Sequence, residues 1–450
     1  MFEMKKWNRQ AQAIGKILAD APAIDKNLRA TKGEFERRRK IVYKKLREAG
    51  FDAGFVYSDE HYCGDVPYLG GNTNITIEPV AGLIGANGFH LLAGLEGGYV
   101  AEQLALDLGT FVHKLEMLKL ADEEYPVEAE RLSDVIEECC GKKIEKIALL
   151  TPREILPVAM RDSLAEYFGD PSAIIDMQEL YYKVKYEKSD EEMALLSQAG
   201  KICDVMIKGM LGILTPGLLE TQLAGWGYAI ASELGVEDMG FDIIVNANDA
   251  GRTLIGKALN RPIMEGDVVS LGVAPKCAGL TACERCSVVA VKKESLLTED
   301  QRFWLSFVQG AYRAGYDAYA KVAAEGLPAK TQEQALVVYF KSREKEVCEK
   351  IGKNIDLTRQ KPYTGTHNAG YTECQEFYGA ITLNSEEPLG GQIVTMLDVA
   401  IRGAGSKWNE IVIPGVDYYV VEKTLGKYKS EVRTLTELPV DLQVFVGSAL

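Results

Sequence analysis

The stretch that decides the fold reads GDVVSLGVAPKCAGLTACERCSVV and spans residues 266–289. It begins with a Gly-Asp pair and contains two strand-like apolar runs, residues 268–273 and 287–291. Between them lies a single carboxylate, Glu284, flanked by Cys283 and Arg285. The stretch therefore predicts a hairpin of two strands that carries one acidic group.

This hairpin resembles one from the creatinase, aminopeptidase P and prolidase family (M24), which has the pita-bread fold. In its metallopeptidase branch the Gly-Asp strand carries one Asp and the next strand a second, and the two carboxylates bridge two metal ions. The matching positions here are Gly272 and Cys283. Creatinase, which works without metal, carries a Thr-Ala-Leu-Glu-Arg run that residues 281–285 match except at Cys283. The resemblance thus implies the metal-independent branch.

Composition places the chain among globular proteins of more than one domain. It has 450 residues, of which 47% are hydrophobic and 26% charged, and a net charge of -14. That charge argues against nucleic acid or a membrane surface as partner, because phosphate binding requires clustered Lys and Arg. The first residues lack the apolar core of a secretory signal, and nine scattered cysteines fit reduced thiols. We expect a cytoplasmic protein.

Helical and strand-like patterns alternate in the first part of the chain, which indicates an α/β layer. A helix is predicted from residue 34 to Gly50, followed by a strand. The polar segment 183–188 precedes a capping box of Ser189 and Glu192 that opens a new helix. We therefore place a domain boundary between residues 182 and 183. The resemblance implies a ribonuclease-H-like, creatinase-type domain over 1–182 and a pita-bread domain over 183–450.

The metal ligands of the family are almost entirely replaced. The resemblance maps its two Asp, one His and two Glu ligands onto Gly272, Cys283, His367, Leu397 and Gly415. Only the histidine remains, so we predict no metal and no cofactor at this site. A softer zinc site from Cys277, Cys283 and Cys286 is an alternative, although buried free thiols are the more ordinary reading of such cysteines.

Glu284 is the first candidate for chemistry. The resemblance implies that it orients a cationic group of the substrate, and a partly buried carboxylate holds an amidinium well through paired charge-assisted hydrogen bonds. The alternative is a structural salt bridge to Arg285 or Arg252. His367 lies in a run similar to the family's Gly-His-x-x-Gly loop, and we expect it to donate a hydrogen bond to substrate unless it is a structural histidine.

The group that activates water is left open among three residues, Glu376, Asp398 and Tyr371. The position of creatinase's catalytic histidine falls on Leu254 or Ile255, which cannot serve as a base. We predict that the catalytic set is Glu284, His367, Glu376 and Asp398. We further expect substrate contacts from Tyr371, Cys283, Arg252 and Glu78.

The resemblance favours a metal-independent, creatinase-like hydrolase that cleaves a C–N bond in a small nitrogenous compound with a guanidino, amidino or zwitterionic group. Creatine itself is disfavoured, because the two arginines that hold its carboxylate fall on Pro79 and Ala380. The resemblance also implies a homodimer whose site is completed by the partner's N-terminal domain. Two alternatives remain: a catalytically inactive ligand-binding or interaction protein on this scaffold, and a lyase.

Overall fold

The computed structural model describes residues 3–120, 129–247, 256–358, 364–372, 378–401 and 418–450. The chain forms two compact units. One comprises Arg29–Glu192 and Gly370–Tyr378, and the other comprises Met1–Leu28, Met193–Ala369 and Gly379–Leu450. The main break thus follows residue 192, whereas the sequence placed it after residue 182 and assigned the first 28 residues to the N-terminal domain.

The helices of the described residues follow the amphipathic segments of the sequence. In chain order they are α1 (Met4–Ala19), α2 (Lys32–Glu48), α3 (Asp65–Gly70), α4 (Leu95–Ala105), α5 (Leu132–Cys140), α6 (Val158–Phe168), α7 (Gln178–Tyr186), α8 (Asp190–Ile213), α9 (Glu220–Glu233), α10 (Glu299–Glu325) and α11 (Lys330–Ile351).

The unit around residues 29–192 is built on a mixed sheet. Its strands are β1 (Gly54–Ser58), β2 (Val80–Gly85), β3 (Gly88–Ala93), β4 (Phe111–Lys114), β5 (Ile147–Leu149) and β6 (Ile174–Asp176). Their order is β4-β3-β2-β1-β5-β6, with β2 antiparallel to both neighbours and the outer pairs parallel. Apolar side chains from β1, β2 and β5 pack against α5 and α6 to form its core.

The second unit is built on an antiparallel sheet. Its strands are β7 (Ile244–Ala247), β8 (Val268–Val273), β11 (Glu284–Val289), β12 (Thr364–Asn368), β13 (Gln392–Ile401), β14 (Tyr419–Tyr428) and β15 (Glu431–Thr434); the short pair β9 (Lys276–Cys277) and β10 (Leu280–Thr281) lies between β8 and β11. The order is β12-β13-β14-β11-β8-β7, and β15 pairs with the end of β14. The predicted hairpin is therefore confirmed as β8 and β11.

One face of this second sheet is the hydrophobic core. Leu397, Val399 and Val421 lie on it and join a buried cluster with aromatic residues of the long helices, including Tyr319 of α10 and Phe340 of α11. Alternation along the strands places every second residue of β11, β13 and β14 on the opposite face. That opposite face is where polar side chains gather.

Helix starts and ends show how far local chemistry determines the fold. The capping box predicted at Ser189 is confirmed, and Thr298 caps α10 in the same way, because each side chain accepts a hydrogen bond from the backbone N–H three residues on. Gly326 and Gly352 end α10 and α11 in the left-handed conformation.

None of the helices in the described ranges combines the length and the apolar composition required to cross a membrane.

Candidate functional site

Cross-strand pairing sorts the polar residues of the second sheet into two rows. In the first row Gly365, Asp398, Glu422, Arg285 and Gly272 lie opposite one another in register on β12, β13, β14, β11 and β8. In the next row the paired residues are Thr366, Leu397, Lys423, Glu284 and Val273. Adjacent rows face opposite sides of a sheet. Glu284 and Arg285 therefore point in opposite directions.

Arg285 is the centre of the first row. Its Nη1 donates to Asp398 Oδ2 at 3.1 Å and to Glu422 Oε2 at 3.3 Å, and its Nη2 donates to the hydroxyl of Tyr418 at 2.8 Å. All four side chains are buried. One guanidinium thus holds two carboxylates of neighbouring strands on one face of the sheet.

His367 lies near the other carboxylate oxygen of Glu422, Oε1. Its Nδ1 is 3.0 Å from the backbone oxygen of Asn368, and since that oxygen can only accept, Nδ1 carries a proton. Its Nε2 is 3.8 Å from Glu422 Oε1. The structure thus brings together two of the predicted catalytic residues, His367 and Asp398, around a carboxylate that the sequence did not single out. We call Arg285, Asp398, Glu422, His367 and Tyr418 the polar cluster.

Asp398 is the titratable group of the polar cluster with a pKa near neutrality. Burial raises its pKa from 3.8 to about 7, and the Glu422 carboxylate adds to the rise, while Arg285 and His367 oppose it. Its second oxygen, Oδ1, is buried and has no hydrogen-bond partner among the described residues. A carboxyl group in this state can take up or release a proton near neutral pH.

The raised pKa predicts how stability changes with pH. Because folded Asp398 holds its proton up to about pH 7 and the unfolded residue loses it near pH 3.8, its contribution is complete at low pH and is lost as the pH rises to about 7. We expect Asp398→Asn to flatten the pH dependence of the unfolding free energy in this window, where one proton contributes a slope of up to about 1.4 kcal/mol per pH unit. Urea unfolding at several pH values measures it.

The matched control for this experiment is Asp317→Asn on α10, an exposed aspartate of the same unit. It should leave the pH profile of the wild type unchanged. If the pH profile of Asp398→Asn follows that of the wild type as closely as the control does, the fold does not raise the pKa of Asp398.

Glu284 lies on the core face and is fully buried. It forms an ion pair with Lys423 of β14, which is 2% exposed. Burial raises the pKa of Glu284 to about 8; Lys423 opposes the rise, and the Asp204 carboxyl of α8 adds to it. The sequence named Arg285 or Arg252 as the partner of a structural salt bridge; the structure instead pairs Glu284 with Lys423.

The polar cluster does not fit the two divalent ions of the metallopeptidases. Such a pair requires several oxygen ligands on a shared face, and here the guanidinium of Arg285 already occupies the position between Asp398 and Glu422. Gly272, which faces Arg285 in the register, provides no ligand. Nor do the thiols of Cys277, Cys283 and Cys286 converge as a three-sulfur group in the part of the chain that the structure describes.

The remaining predicted residues lie elsewhere. Cys283 is buried beside β14, where its backbone N–H donates to Thr424 Oγ1 at 2.9 Å. Tyr371 and Glu78 belong to the other unit. The Tyr371 hydroxyl accepts a hydrogen bond from buried Arg38 at 2.7 Å, and Glu78 Oε2 accepts one from the backbone of Gly97 at 2.6 Å.

Glu376 and Arg252 lie outside the described residues. The sequence reasoning missed Glu422, Lys423 and Tyr418, which belong to a run of strand residues with no motif around them. A signal was nevertheless present: two adjacent charged residues, Glu422 and Lys423, interrupt an otherwise apolar strand pattern. Charges inside a central strand require buried partners.

A sequence model of the metallopeptidase family M24 matches residues 194–370, which include β8, β11 and His367. No curated protein sequence matches the chain.

Solved structures extend the likeness to most of the chain. The X-Pro aminopeptidase from Thermotoga maritima MSB8 is 18% identical, with a TM-score of 0.66, over 88% of this chain and 99% of that one. The Xaa-Pro dipeptidase from Bacillus anthracis is 16% identical, with a TM-score of 0.67, over 91% and 99%. The N-terminal domain of the FACT complex subunit SPT16 from Cicer arietinum (chickpea) is 11% identical, with a TM-score of 0.65, over 94% and 99%.

At these identities the solved structures establish the fold. The predicted fold class is confirmed, because a mixed α/β chain with the antiparallel sheet described above superimposes on aminopeptidase P and prolidase structures over almost their full length. The chain thus has the pita-bread fold, and its residues 194–370 carry the sequence pattern of the metallopeptidase family M24.

Proposed function

We propose that this protein is a hydrolase that cleaves a C–N bond in a small nitrogenous compound, and that it does so without a metal ion. The observation that carries the proposal is the state of Asp398, a buried carboxyl with a pKa of about 7 and one oxygen without a hydrogen-bond partner among the described residues. A general acid or base works best when its pKa lies near the working pH.

The cluster offers the groups that hydrolysis of a C–N bond requires. Water adds its oxygen to the carbon, the C–N bond breaks, and the nitrogen leaves with a proton. Asp398, in its ionised form, would accept the proton of the attacking water at Oδ1, and His367, with protons on both ring nitrogens, would deliver its Nε2 proton to the leaving nitrogen. Arg285 would hold Asp398 and Glu422 in place and supply positive charge close to the oxygen that becomes negative.

Two of the similar structures support the hydrolase part of the proposal. They are named as an aminopeptidase and a dipeptidase, which are enzymes that hydrolyse a C–N bond. Metal independence is supported by the position of Arg285, whose guanidinium lies where a cation would otherwise neutralise the two carboxylates. In this proposal Glu284 is a positioning residue: its pair with Lys423 holds β11 against β14 one residue away from the pair of Arg285 and Glu422.

The test is a turnover screen of the purified full chain with guanidino, amidino and betaine-like compounds, with and without prior removal of metal by a chelator. For a compound that is turned over, we expect His367→Asn and Asp398→Asn each to reduce kcat by about 100-fold or more, the usual contribution of a general acid or base. The chelated wild type should retain its activity. Asp317→Asn again serves as the control variant and should behave as the wild type.

Three outcomes would contradict the proposal. Loss of activity on chelation that returns with added Mn²⁺ or Zn²⁺ would show a metalloenzyme. Unchanged kcat in both variants would place the chemistry elsewhere. Absence of turnover with every compound, together with binding of one of them, would favour the second candidate below.

The second candidate is a ligand-binding or interaction protein without catalysis. The observation that favours it is that Arg285 already engages both carboxylates, so the cluster is largely neutralised without a substrate. One similar structure is named as a domain of a complex subunit. We also propose a homodimer, which light scattering at micromolar concentration tests directly.

A further inference from the structure

Three side chains in the unit around residues 29–192 form a second polar group, separate from the polar cluster. His90 lies on β3, His113 on the edge strand β4 and Glu138 on α5, and one ligand atom of each lies within 4.8 Å of the other two. Both histidines are buried, whereas Glu138 is exposed. Within the described ranges this is the one set of three or more His, Cys, Asp or Glu residues that converges in this way.

The two histidines already hold their nitrogens close to the spacing of metal ligands. His90 Nδ1 and His113 Nε2 are 2.9 Å apart. Two nitrogens bound tetrahedrally to one zinc ion at 2.0–2.1 Å lie about 3.3 Å apart, so a shift of a few tenths of an ångström brings these two to ligand spacing. A hydrogen bond between two imidazoles requires that one nitrogen present a lone pair, so at least one ring is neutral and able to bind a metal.

We call His90, His113 and Glu138 the trio. A carboxylate that is not part of it, Glu130, determines which nitrogen of His113 can bind a metal. Glu130 Oε2 is 2.7 Å from His113 Nδ1, and because a carboxylate accepts, Nδ1 carries the proton and Nε2 bears the lone pair. A carboxylate that accepts from the far nitrogen of a histidine is the usual support of a metal-binding imidazole. Glu130 is itself anchored, since its backbone N–H donates to the backbone oxygen of Lys114 at 3.1 Å.

The other ring nitrogen of His90, Nε2, lies on the side of the ring away from His113. This nitrogen is buried and has no hydrogen-bond partner among the described residues, and the side chain is 1% exposed. The ring packs against Phe111, with centroids 4.7 Å apart. Because His90 Nδ1 donates to the lone pair of His113 Nε2, a metal ion bound at Nδ1 would place the ring proton of His90 on Nε2.

We propose that His90, His113 and Glu138 bind one Zn²⁺ ion, with Glu130 orienting His113 and a water molecule completing the coordination. Imidazole ligands favour zinc and related transition metals over Mg²⁺ and Ca²⁺, which prefer oxygen. Two histidines and one carboxylate are an established zinc ligand set. Because Glu138 is exposed, its side chain is free to adjust its oxygen to the ligand distance. The site does not depend on the proposed hydrolase activity.

The experiment titrates Zn²⁺ into chelator-treated, full-length protein by calorimetry and compares Glu138→Gln with Glu137→Gln. Glu137 precedes Glu138 on α5, is also exposed and is not part of the trio. We expect the wild type and Glu137→Gln to bind one equivalent with the same affinity, and Glu138→Gln to bind at least about 10-fold more weakly. Glu130→Gln should also weaken binding by about 10–100-fold, the usual effect of losing such a support.

A second measurement excludes unfolding as the cause of any loss of Zn²⁺ binding. Zn²⁺ should raise the melting temperature of the wild type and of Glu137→Gln but not that of Glu138→Gln, whose melting temperature without metal should equal that of the wild type. The proposal is overturned if the wild type takes up no Zn²⁺, or if Glu138→Gln and Glu137→Gln bind it equally well. Residual binding in Glu138→Gln with the affinity of the wild type would assign the ion to another site.

Discussion

Replacing Arg285 with methionine is expected to lower the free energy of unfolding by about 3–5 kcal/mol, the usual cost of removing one partner from a buried ion pair. Asp398 and Glu422 are 2% and 1% exposed, and the guanidinium of Arg285 is the cation that lies between them. Without it, two carboxylates would face each other away from water. Urea unfolding near pH 8, above the pKa of about 7 of Asp398, measures the loss.

The effect of Arg285→Met should depend on pH in a defined direction. As the pH falls below the pKa of about 7 of Asp398, this carboxyl binds a proton, its repulsion with Glu422 weakens, and the difference from the wild type should shrink. Arg433→Met is the matched control, because the pair of Arg433 with Glu431 is more than half exposed and is screened by water, so its loss should change stability far less. A loss for Arg285→Met as small as that of the control would mean that the two carboxylates do not need this cation.

The second large effect is expected for Glu284→Gln. The substitution keeps the shape of the side chain but leaves the ammonium group of Lys423, which is 2% exposed, without its carboxylate. Because the pKa of Glu284 is about 8, its carboxyl is largely protonated at neutral pH, and we expect the free energy of unfolding to fall there by about 1–3 kcal/mol, the cost of a disturbed buried hydrogen bond. Chemical unfolding of the single variant measures the stability loss, and a turnover assay of the folded variant measures whether chemistry is also affected.

A double variant separates the pair from the individual residues. Glu284→Met combined with Lys423→Met removes both charges and fills similar space, so it should recover much of the stability that either single change loses. Glu431→Gln is the exposed control for the single variant. Conversely, full stability of Glu284→Gln together with a loss of ligand binding would show that Glu284 faces a substrate, which is the role that the sequence resemblance implied.

The resemblance of residues 266–289 was sufficient to predict the pita-bread fold because the features it uses are local. Strand β8 was predicted with its observed bounds from a continuous apolar run. The caps at Ser189 and Thr298 depend on a residue three positions away, so they are visible in the sequence. The same holds for the glycines that end the long helices.

The local sequence did not determine to which face of the sheet each site residue points. The sequence matched a ligand position of the family to Leu397, yet Asp398 is the residue that faces Glu422, and Leu397 belongs to the core. Successive residues of a strand point to opposite faces, so a shift of one position exchanges a core residue for a site residue. Only the pairing of β13 with β14 decides which of the two it is.

The sequence by itself thus determined the fold and the presence of a histidine and a few carboxylates in the C-terminal half of the chain. The tertiary structure alone decided their partners: Lys423 for Glu284, Arg285 for Asp398 and Glu422, and His113 for His90. These partners are far apart in the chain and meet only through strand register. Buried charges and imidazoles take their pKa and their chemistry from such neighbours, and no local pattern encodes them.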